Sequence, residues 1–526
     1  MPKRKILKEL SRYKIGTYAY LLHRHSLLIP DREAFVYGSE RVTFSEFNSR
    51  VNSLVHALQA NGVKKGDSIG ILAWNCLDYV IVYGAAMKGG YILSRFNPRL
   101  GADELEYLIN YSEAGTLFVG LEFVDMAASL RPRLSRVKNF ISLEDRAPEM
   151  MYIQDLLAGY PGDEPDVRVE EDDYLHIIYT SGTTGVPRGA LYTHRRVWDD
   201  NRTLIINVGI QPGDRHVQVS PLFHIAGDTH FRAFLYIGGC TVITKFFDPA
   251  EVLQIIQDEK ITYIDFVPTH LIAMLSLPDV AKYDVSSLKM MWYGASPMPL
   301  EVLKKGMETF GPIFAQGYGQ SESGPAISHL SREEHDVLGK PEQKILASVG
   351  QPDIGVQVRV VDEKNNDVEP GEVGEITVRS QHTMLEYWKK PEDTAETIVD
   401  GWLHTGDMGY YDEQGYVYIV DRKKDMIISG GENVYPREVE EVLYKHPAVE
   451  EAAVFGIPDP YWVEKVHAVV ALKRGGSATA DELIAFCKKN LASYKAPKSV
   501  EFVDSLPKNP SGKIMKRELR QKYWEE

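Results

Sequence analysis

Apolar positions in the first half of the chain switch between helical and extended periods. Thr43-Phe44-Ser45-Glu46 opens a stretch that places Phe44, Phe47, Val51, Leu54, Val55 and Leu58 on one helical face. Its first and fourth residues form a capping box: the threonine oxygen accepts a free amide and the glutamate reaches back. The spacing predicts a helix over 44–58, stopped by Gly62, and then a short buried strand over 68–73. A similar strand is predicted over 175–179, and such runs alternate with helical stretches. That alternation predicts α/β organisation with parallel sheets.

From about Val356 the pattern changes. Val356, Val358 and Val360 alternate with polar residues, a turn rich in Asn and Asp follows, and 375–379 returns as an antiparallel partner. A second hairpin strand is predicted over 416–420, after Asp412-Glu413-Gln414-Gly415, and the charged run 421–425 reads as a connector. Beyond it the pattern predicts a helix over 436–444, a strand over 466–472 and a helix opened by Thr479 and Glu482. These elements describe a compact α+β unit.

The chain has 526 residues, enough for two to four domains, and an apolar content of 44% with 25% charged residues fits an ordinary globular protein. Its net charge of −15 would repel a polyanion, which excludes non-specific binding to nucleic acid or anionic lipid as the main role. Cys76, Cys240 and Cys487 are far apart and form no CxxC pair, which argues against a disulfide framework or zinc site and for a cytoplasmic location. No run approaches the roughly 18 apolar residues of a membrane span. The basic amino-terminal segment lacks the apolar core of a signal peptide.

The strongest local chemistry lies in Tyr179-Thr180-Ser181-Gly182-Thr183-Thr184-Gly185-Val186-Pro187-Arg188-Gly189. Glycines let backbone amides approach an anion, hydroxyls donate further bonds, and the arginine adds a bidentate cation. This is the composition of a phosphate cradle. It is not a Walker A loop, which needs Gly-Lys-Ser/Thr where this chain has Pro187-Arg188-Gly189.

The segment closely resembles the phosphate-binding signature of the adenylate-forming superfamily, which includes acyl-CoA synthetases, luciferase and peptide-synthetase adenylation domains. Arg188 stands where that family usually has lysine. Further resemblances follow in the family's order. Pro221-Leu222-Phe223-His224 is similar to the segment beside the acyl pocket, and Tyr293-Gly294-Ala295-Ser296-Pro297 to the turn that packs against adenine. Gln316-Gly317-Tyr318-Gly319-Gln320-Ser321-Glu322 resembles the adenine and magnesium motif, in which the tyrosine ring stacks on the base, the hydroxyl of Ser321 contacts the α-phosphate and the carboxylate of Glu322 holds Mg²⁺, here with Thr180. Trp402-Leu403-His404-Thr405-Gly406-Asp407 resembles the ribose motif, and Arg422 matches a second ribose contact. Lys424 falls at the family's hinge. Ser429-Gly430-Gly431-Glu432-Asn433 resembles the loop that lines the pantetheine tunnel, and Trp462 and Lys495 match positions near the nucleotide end of CoA. Pro507-Lys508-Asn509-Pro510-Ser511-Gly512-Lys513 resembles the signature that delivers the catalytic lysine, Lys513. Glu386 and Val463 depart from the family's usual glycines, which bears on loop shape rather than on chemistry.

The resemblance implies a large amino-terminal domain over 1–421, with stacked sheets flanked by helices and a small antiparallel β unit. A small mobile α+β lid over 422–526 would carry the catalytic lysine. It implies an ATP-dependent acid:CoA ligase that makes acyl-AMP and pyrophosphate, then acyl-CoA and AMP, with ATP, Mg²⁺ and coenzyme A, a small carboxylic acid as substrate, and an oligomeric state open between monomer and homodimer. An adenylate-forming enzyme with a carrier protein as acceptor is the alternative. The segment Ile225–Phe231 is more polar than a long alkyl tunnel needs, which points to a short to medium, cyclic or aromatic acid, or to one with a polar tail. Whether Asp228 and His230 face that acid stays open at this point.

Overall fold

The computed structural model describes residues 3–180, 187–296, 298–337, 340–422, 425–429, 432–508 and 514–524. The capping box of Thr43 and Glu46 is present, and the helix it starts runs from Phe44 to Ala60. Gly62 follows with φ +84°, a left-handed turn that a side chain would strain. The next strand is Ser68–Leu72, buried throughout.

Two large sheets dominate. One has nine strands, and its parallel centre runs Phe314–Gln320, Met290–Gly294, Tyr263–Phe266, Arg215–Gln218, Cys240–Ile243, Glu33–Tyr37. The other has eight, mostly parallel, in which Tyr174–Thr180 sits between Ile92–Arg95 and the antiparallel strand Arg188–Thr193. The helices Tyr18–Leu28, Phe44–Ala60 and Leu77–Gly89 share one hydrophobic core with strands of both sheets. Every residue of Leu77–Gly89 is buried, as expected of a helix that is apolar all round from Tyr79 to Met87; its two charged residues, Asp78 and Lys88, are buried near its ends.

The third sheet is antiparallel. Val356–Val361 pairs with Gly374–Ser380, Val358 opposite Val378, and Trp402–Tyr411 carries Val417–Arg422 on its other edge. Arg422 therefore ends a strand, opposite Asp407. The expected connector over 421–425 is corrected at its first two residues, because ladder bonds to Trp402–Tyr411 extend the strand through them. The fourth sheet joins Glu432–Val434, Ile427–Ser429, Val463–Leu472 and Val449–Asp459, with Ser499–Val503 parallel to Val463–Leu472. The helices Pro436–Tyr444 and Ala480–Asn490 pack on it, the second opened by the Thr479–Glu482 capping box.

The cysteines are free and buried. Among the described residues no helix is long and apolar enough to cross a membrane.

The core encloses many imidazoles. Burial disfavours the charged ring and pushes His25, His194, His230 and His335 from 6.5 down to about 4. Between those values the unfolded chain binds protons that the folded chain does not, so stability is complete above 6.5 and is lost as pH falls toward 4. The melting temperature should drop steadily as pH is lowered from about 7 to about 5. A flat profile over that range would show that the folded rings bind protons as readily as the unfolded ones, through acceptors gained on folding.

Candidate active site

The ends of strands from three sheets converge on one place. The phosphate-cradle segment leaves the eight-stranded sheet at Thr180, the last residue of Tyr174–Thr180. Ser181, Gly182, Thr183, Thr184 and Gly185 lie outside the described residues. On the far side the chain re-enters at Arg188, opposite Thr180. Arg188 forms an ion pair with Asp393 at 3.3 Å and lies over the ring of Tyr387, 5.2 Å from its centroid.

Strands Met290–Gly294 and Phe314–Gln320 run side by side with Gly294 opposite Gly317. The pairing needs glycine at both positions. A Cβ on Gly294 would lie 2.6 Å from the Gly317 carbonyl oxygen, and one on Gly317 would lie 2.1 Å from the indole of Trp292. The result is a shelf of bare backbone. Ala295 then turns the chain with φ +63°, which costs a non-glycine residue about 1–2 kcal/mol, and Ser296 follows. Strand alternation puts Met291 and Tyr293 into one core and Trp292 on the opposite face.

Gln316, Gly317, Tyr318 and Gly319 continue the shelf to a tight turn at Ser321–Ser323. The Tyr318 hydroxyl donates to Asp407 Oδ2 at 2.7 Å, the Gln320 amide donates to the same oxygen at 2.6 Å, and Arg422 Nε pairs with Oδ1 at 3.1 Å. Burial works against the charge of Arg422, but the Asp407 carboxylate outweighs it and holds the guanidinium pKa above its usual value. Burial and the same carboxylate push the Tyr318 hydroxyl well up, so it remains a donor.

The turn is clamped from behind. Tyr192 donates from its hydroxyl to the Ser321 carbonyl at 2.6 Å and accepts from the Gly324 amide at 3.0 Å. Glu322 accepts from the Tyr387 hydroxyl at 2.9 Å, and its own carbonyl accepts from the Met384 amide at 2.8 Å. Sequence reasoning did not select Tyr192, Gln320 or Tyr387. Tyr387 lies 65 positions from Glu322 and Tyr192 lies 129 from Ser321, so no local spacing signals either pair.

Among the described residues no group of three or more His, Cys, Asp or Glu assembles to hold a metal. A single well-held carboxylate nevertheless fits Mg²⁺, which takes one or two carboxylates and completes its shell with phosphate oxygens and water. Glu322, held by the Tyr387 hydroxyl, is a carboxylate of that kind.

His224 begins the helix Ile225–Ile237 as its N-cap residue and packs on Phe223, with ring centroids 4.6 Å apart. Burial, reinforced by the Arg99 and Arg95 charges, lowers its pKa to about 4, so the ring is neutral at physiological pH. Asp228 and His230 fall about 200° apart around this helix. Asp228 is engaged by Tyr83, Arg95 and Arg232. His230 meets Trp292 edge-on at 5.9 Å, and its Nδ1 contacts the Tyr263 hydroxyl at 3.1 Å.

Ser429 is buried at the end of Ile427–Ser429, opposite Val463, which has φ +67°. Trp462 is covered by Lys498 at 5.4 Å, whereas Lys495 is engaged by Glu438 at 2.7 Å. Lys424, Gly430, Gly431 and Lys513 lie outside the described residues.

A family model described as "AMP-binding enzyme" matches residues 23–388, and one described as "AMP-binding enzyme C-terminal domain" matches 438–513. A feruloyl-CoA synthase from Amycolatopsis sp is 37% identical over 502 residues, covering 95% of this chain and 98% of its own. A medium/long-chain-fatty-acid–CoA ligase from Mycobacterium tuberculosis is 34% identical over 518 residues, covering 96% and 89%. The solved structure of an anthranilate CoA ligase in complex with anthranoyl-AMP superposes with a TM-score of 0.88 at 28% identity, covering 98% of each chain.

Gly317→Ala should destabilise the protein by about 1–3 kcal/mol through the clash with Trp292, read as a lower urea midpoint. Trp292→Ala in the same chain should relieve most of the added cost.

Proposed function

Because the chain belongs to the AMP-binding enzyme family and matches both its main and its carboxy-terminal models, we propose the following division of labour within an ATP-dependent acid:CoA ligase. The acid's carboxylate oxygen attacks the α-phosphorus of ATP, a new P–O bond forms, and the bond to pyrophosphate breaks. The CoA thiolate then attacks the acyl carbon and AMP leaves.

Phosphoryl-type transfer asks the protein for position and charge more than for covalent chemistry. The cradle from Thr180 through Ser181, Gly182, Thr183, Thr184 and Gly185 to Arg188 binds the phosphates. Gly294, Ala295, Ser296, Gln316, Gly317, Tyr318 and Gly319 form the adenine side, where the bare shelf supports a flat base. Asp407 accepts from the ribose hydroxyls. Its Oδ1 has a second lone pair beyond the one Arg422 uses, which supports that role. Ser321 contacts the α-phosphate. Glu322 and Thr180 would hold Mg²⁺, which supplies neutralisation of phosphate charge when bound.

Lys513 donates to the developing charge in the first step. The part of the unit over 422–526 that follows the hinge then turns about Lys424, while Arg422 keeps its place opposite Asp407. The turn withdraws the lysine and brings Ser429, Gly430 and Gly431 to the pantetheine arm, with Trp462 and Lys495 toward the CoA nucleotide. The boundary between the two units is placed at 421/422, and the location is cytoplasmic.

The acid lies between His224, the Gly294–Gly317 shelf and the helix Ile225–Ile237. The observation that carries the substrate reading is the Trp292–His230 contact, two rings packed edge-on at 5.9 Å between the shelf and that helix. We read them as the end wall of the space, which would favour an aromatic acid over a long alkyl chain. The feruloyl and anthranilate relatives are named for aromatic acids and the Mycobacterium tuberculosis relative for medium- and long-chain fatty acids, so the choice rests on the ring contact. Pyrophosphate release measured across aromatic and alkyl acids, with and without CoA, tests it: the highest kcat/KM should fall on an aromatic acid. Preference for a long alkyl acid would overturn the choice.

Lys513→Ala should abolish acyl-AMP formation and retain thioester formation from supplied acyl-AMP. Equal loss of both half-reactions would refute the split role. Asp407→Ala should raise KM for ATP by about tenfold or more with KM for the acid little changed, measured by acid-dependent pyrophosphate release.

A further inference from the structure

The segment Ser220–His224 leads from the nine-stranded sheet into the helix that His224 begins. Its carbonyls are held from both large sheets. Gln218, at the end of Arg215–Gln218, donates to the Ser220 carbonyl at 2.6 Å and to Gly227 at 3.2 Å. Asn75 donates to the Ser220 carbonyl at 3.2 Å and accepts from the Leu222 amide at 2.8 Å.

The remaining hold comes from Arg95, the last residue of Ile92–Arg95 in the other sheet. Its Nη1 donates to the Leu222 carbonyl at 2.8 Å and pairs with Asp228 Oδ1 at 2.5 Å. Asp228 sits in the first turn of the helix, and its amide donates to the His224 carbonyl at 3.0 Å. Both side chains are fully enclosed. Asp228 also accepts from Tyr83 at 2.5 Å and pairs with Arg232 at 2.9 Å, while Arg232 pairs with Asp200 at 3.1 Å. One guanidinium nitrogen thus grips the residue two before His224 and the residue four after it. Nη1 joins the turn and the helix to one point on the opposite sheet, beside the separate holds of Asn75 on the turn and Tyr83 on Asp228.

We propose that Arg95 is a positioning residue: paired with Asp228, it sets the place of His224 and thereby the fit of the acid, without touching substrate. The inference rests on His224 lying beside the acid. Lysine at 95 keeps the charge, but its flexible stem ends short of the Nη1 position and lacks the rigid plane that fixes that nitrogen between the Leu222 carbonyl and Asp228. Such a change moves the turn while the ATP contacts, on other strands, stay where they are.

The test is a cycle of Arg95→Lys, His224→Ala and both together, read by acid-dependent pyrophosphate release on protein checked for folding by circular dichroism. Arg95→Lys should raise KM for the acid by about tenfold and KM for ATP by less than about twofold. In the His224→Ala background the effect of Arg95→Lys on the acid should shrink below about twofold, since coupled residues are not additive. If Arg95→Lys does not fold, R95M/D228N removes both charges together and is held to the same expectation. A lower melting temperature with KM for the acid unchanged, or an equal effect in both His224 backgrounds, overturns the inference. His224→Ala with no effect on the acid would instead sink the placing of His224.

Discussion

The carboxylate of Asp407 is the point on which the site depends. It lies on the antiparallel sheet, yet two of its three donors, Tyr318 and Gln320, come from the nine-stranded sheet, and the third, Arg422, comes from the neighbouring strand. Only 4% of the residue is exposed, so these bonds act in a medium that screens them weakly. A buried carboxylate without partners would cost several kcal/mol. Satisfying it helps fix where the third sheet docks, with the strand Trp402–Tyr411 beside the shelf of Gly294 and Gly317.

The same logic recurs beneath the site. Asp228, Arg95, Arg232 and Asp200 form a closed set of opposite charges among fully buried residues. Breaking such a set at one member costs about 3–5 kcal/mol, because the partner is left charged in the core. A hydrophobic contact could fill that space but could not hold a backbone carbonyl at a defined distance. Directional bonds fix the turn that leads into His224. The glycines complement them: Gly317 leaves the backbone bare, and Trp292 fills the space behind it.

Clamping residues also explain how a turn as short as Ser321–Ser323 can carry chemistry. Tyr192 binds both of its ends, and Tyr387 orients Glu322. Arg188 lies on the Tyr387 ring, so the cradle strand and the Glu322 carboxylate share one tyrosine. The positions of Arg188 and of the Glu322 carboxylate are therefore coupled through packing already present in the protein.

Local chemistry was readable directly. The Thr43–Glu46 and Thr479–Glu482 boxes need only residues three apart, and the 356–380 hairpin needs only alternation and a turn, so each appears where the pattern predicts it. The ordered motifs marked Glu322, Asp407 and Arg422 as one site, because each resembles a family segment on its own. What no local pattern contained was the set of partners. Tyr387 and Glu322, or Arg95 and Asp228, are brought together by strand order across two sheets, and their bonds exist only once those sheets have closed over a common core. The polar residues after His224 show the difference most plainly: sequence left open whether Asp228 and His230 face an acid at all. The 100° step of the helix and the buried arginines turned one inward to the ion set and the other onto Trp292.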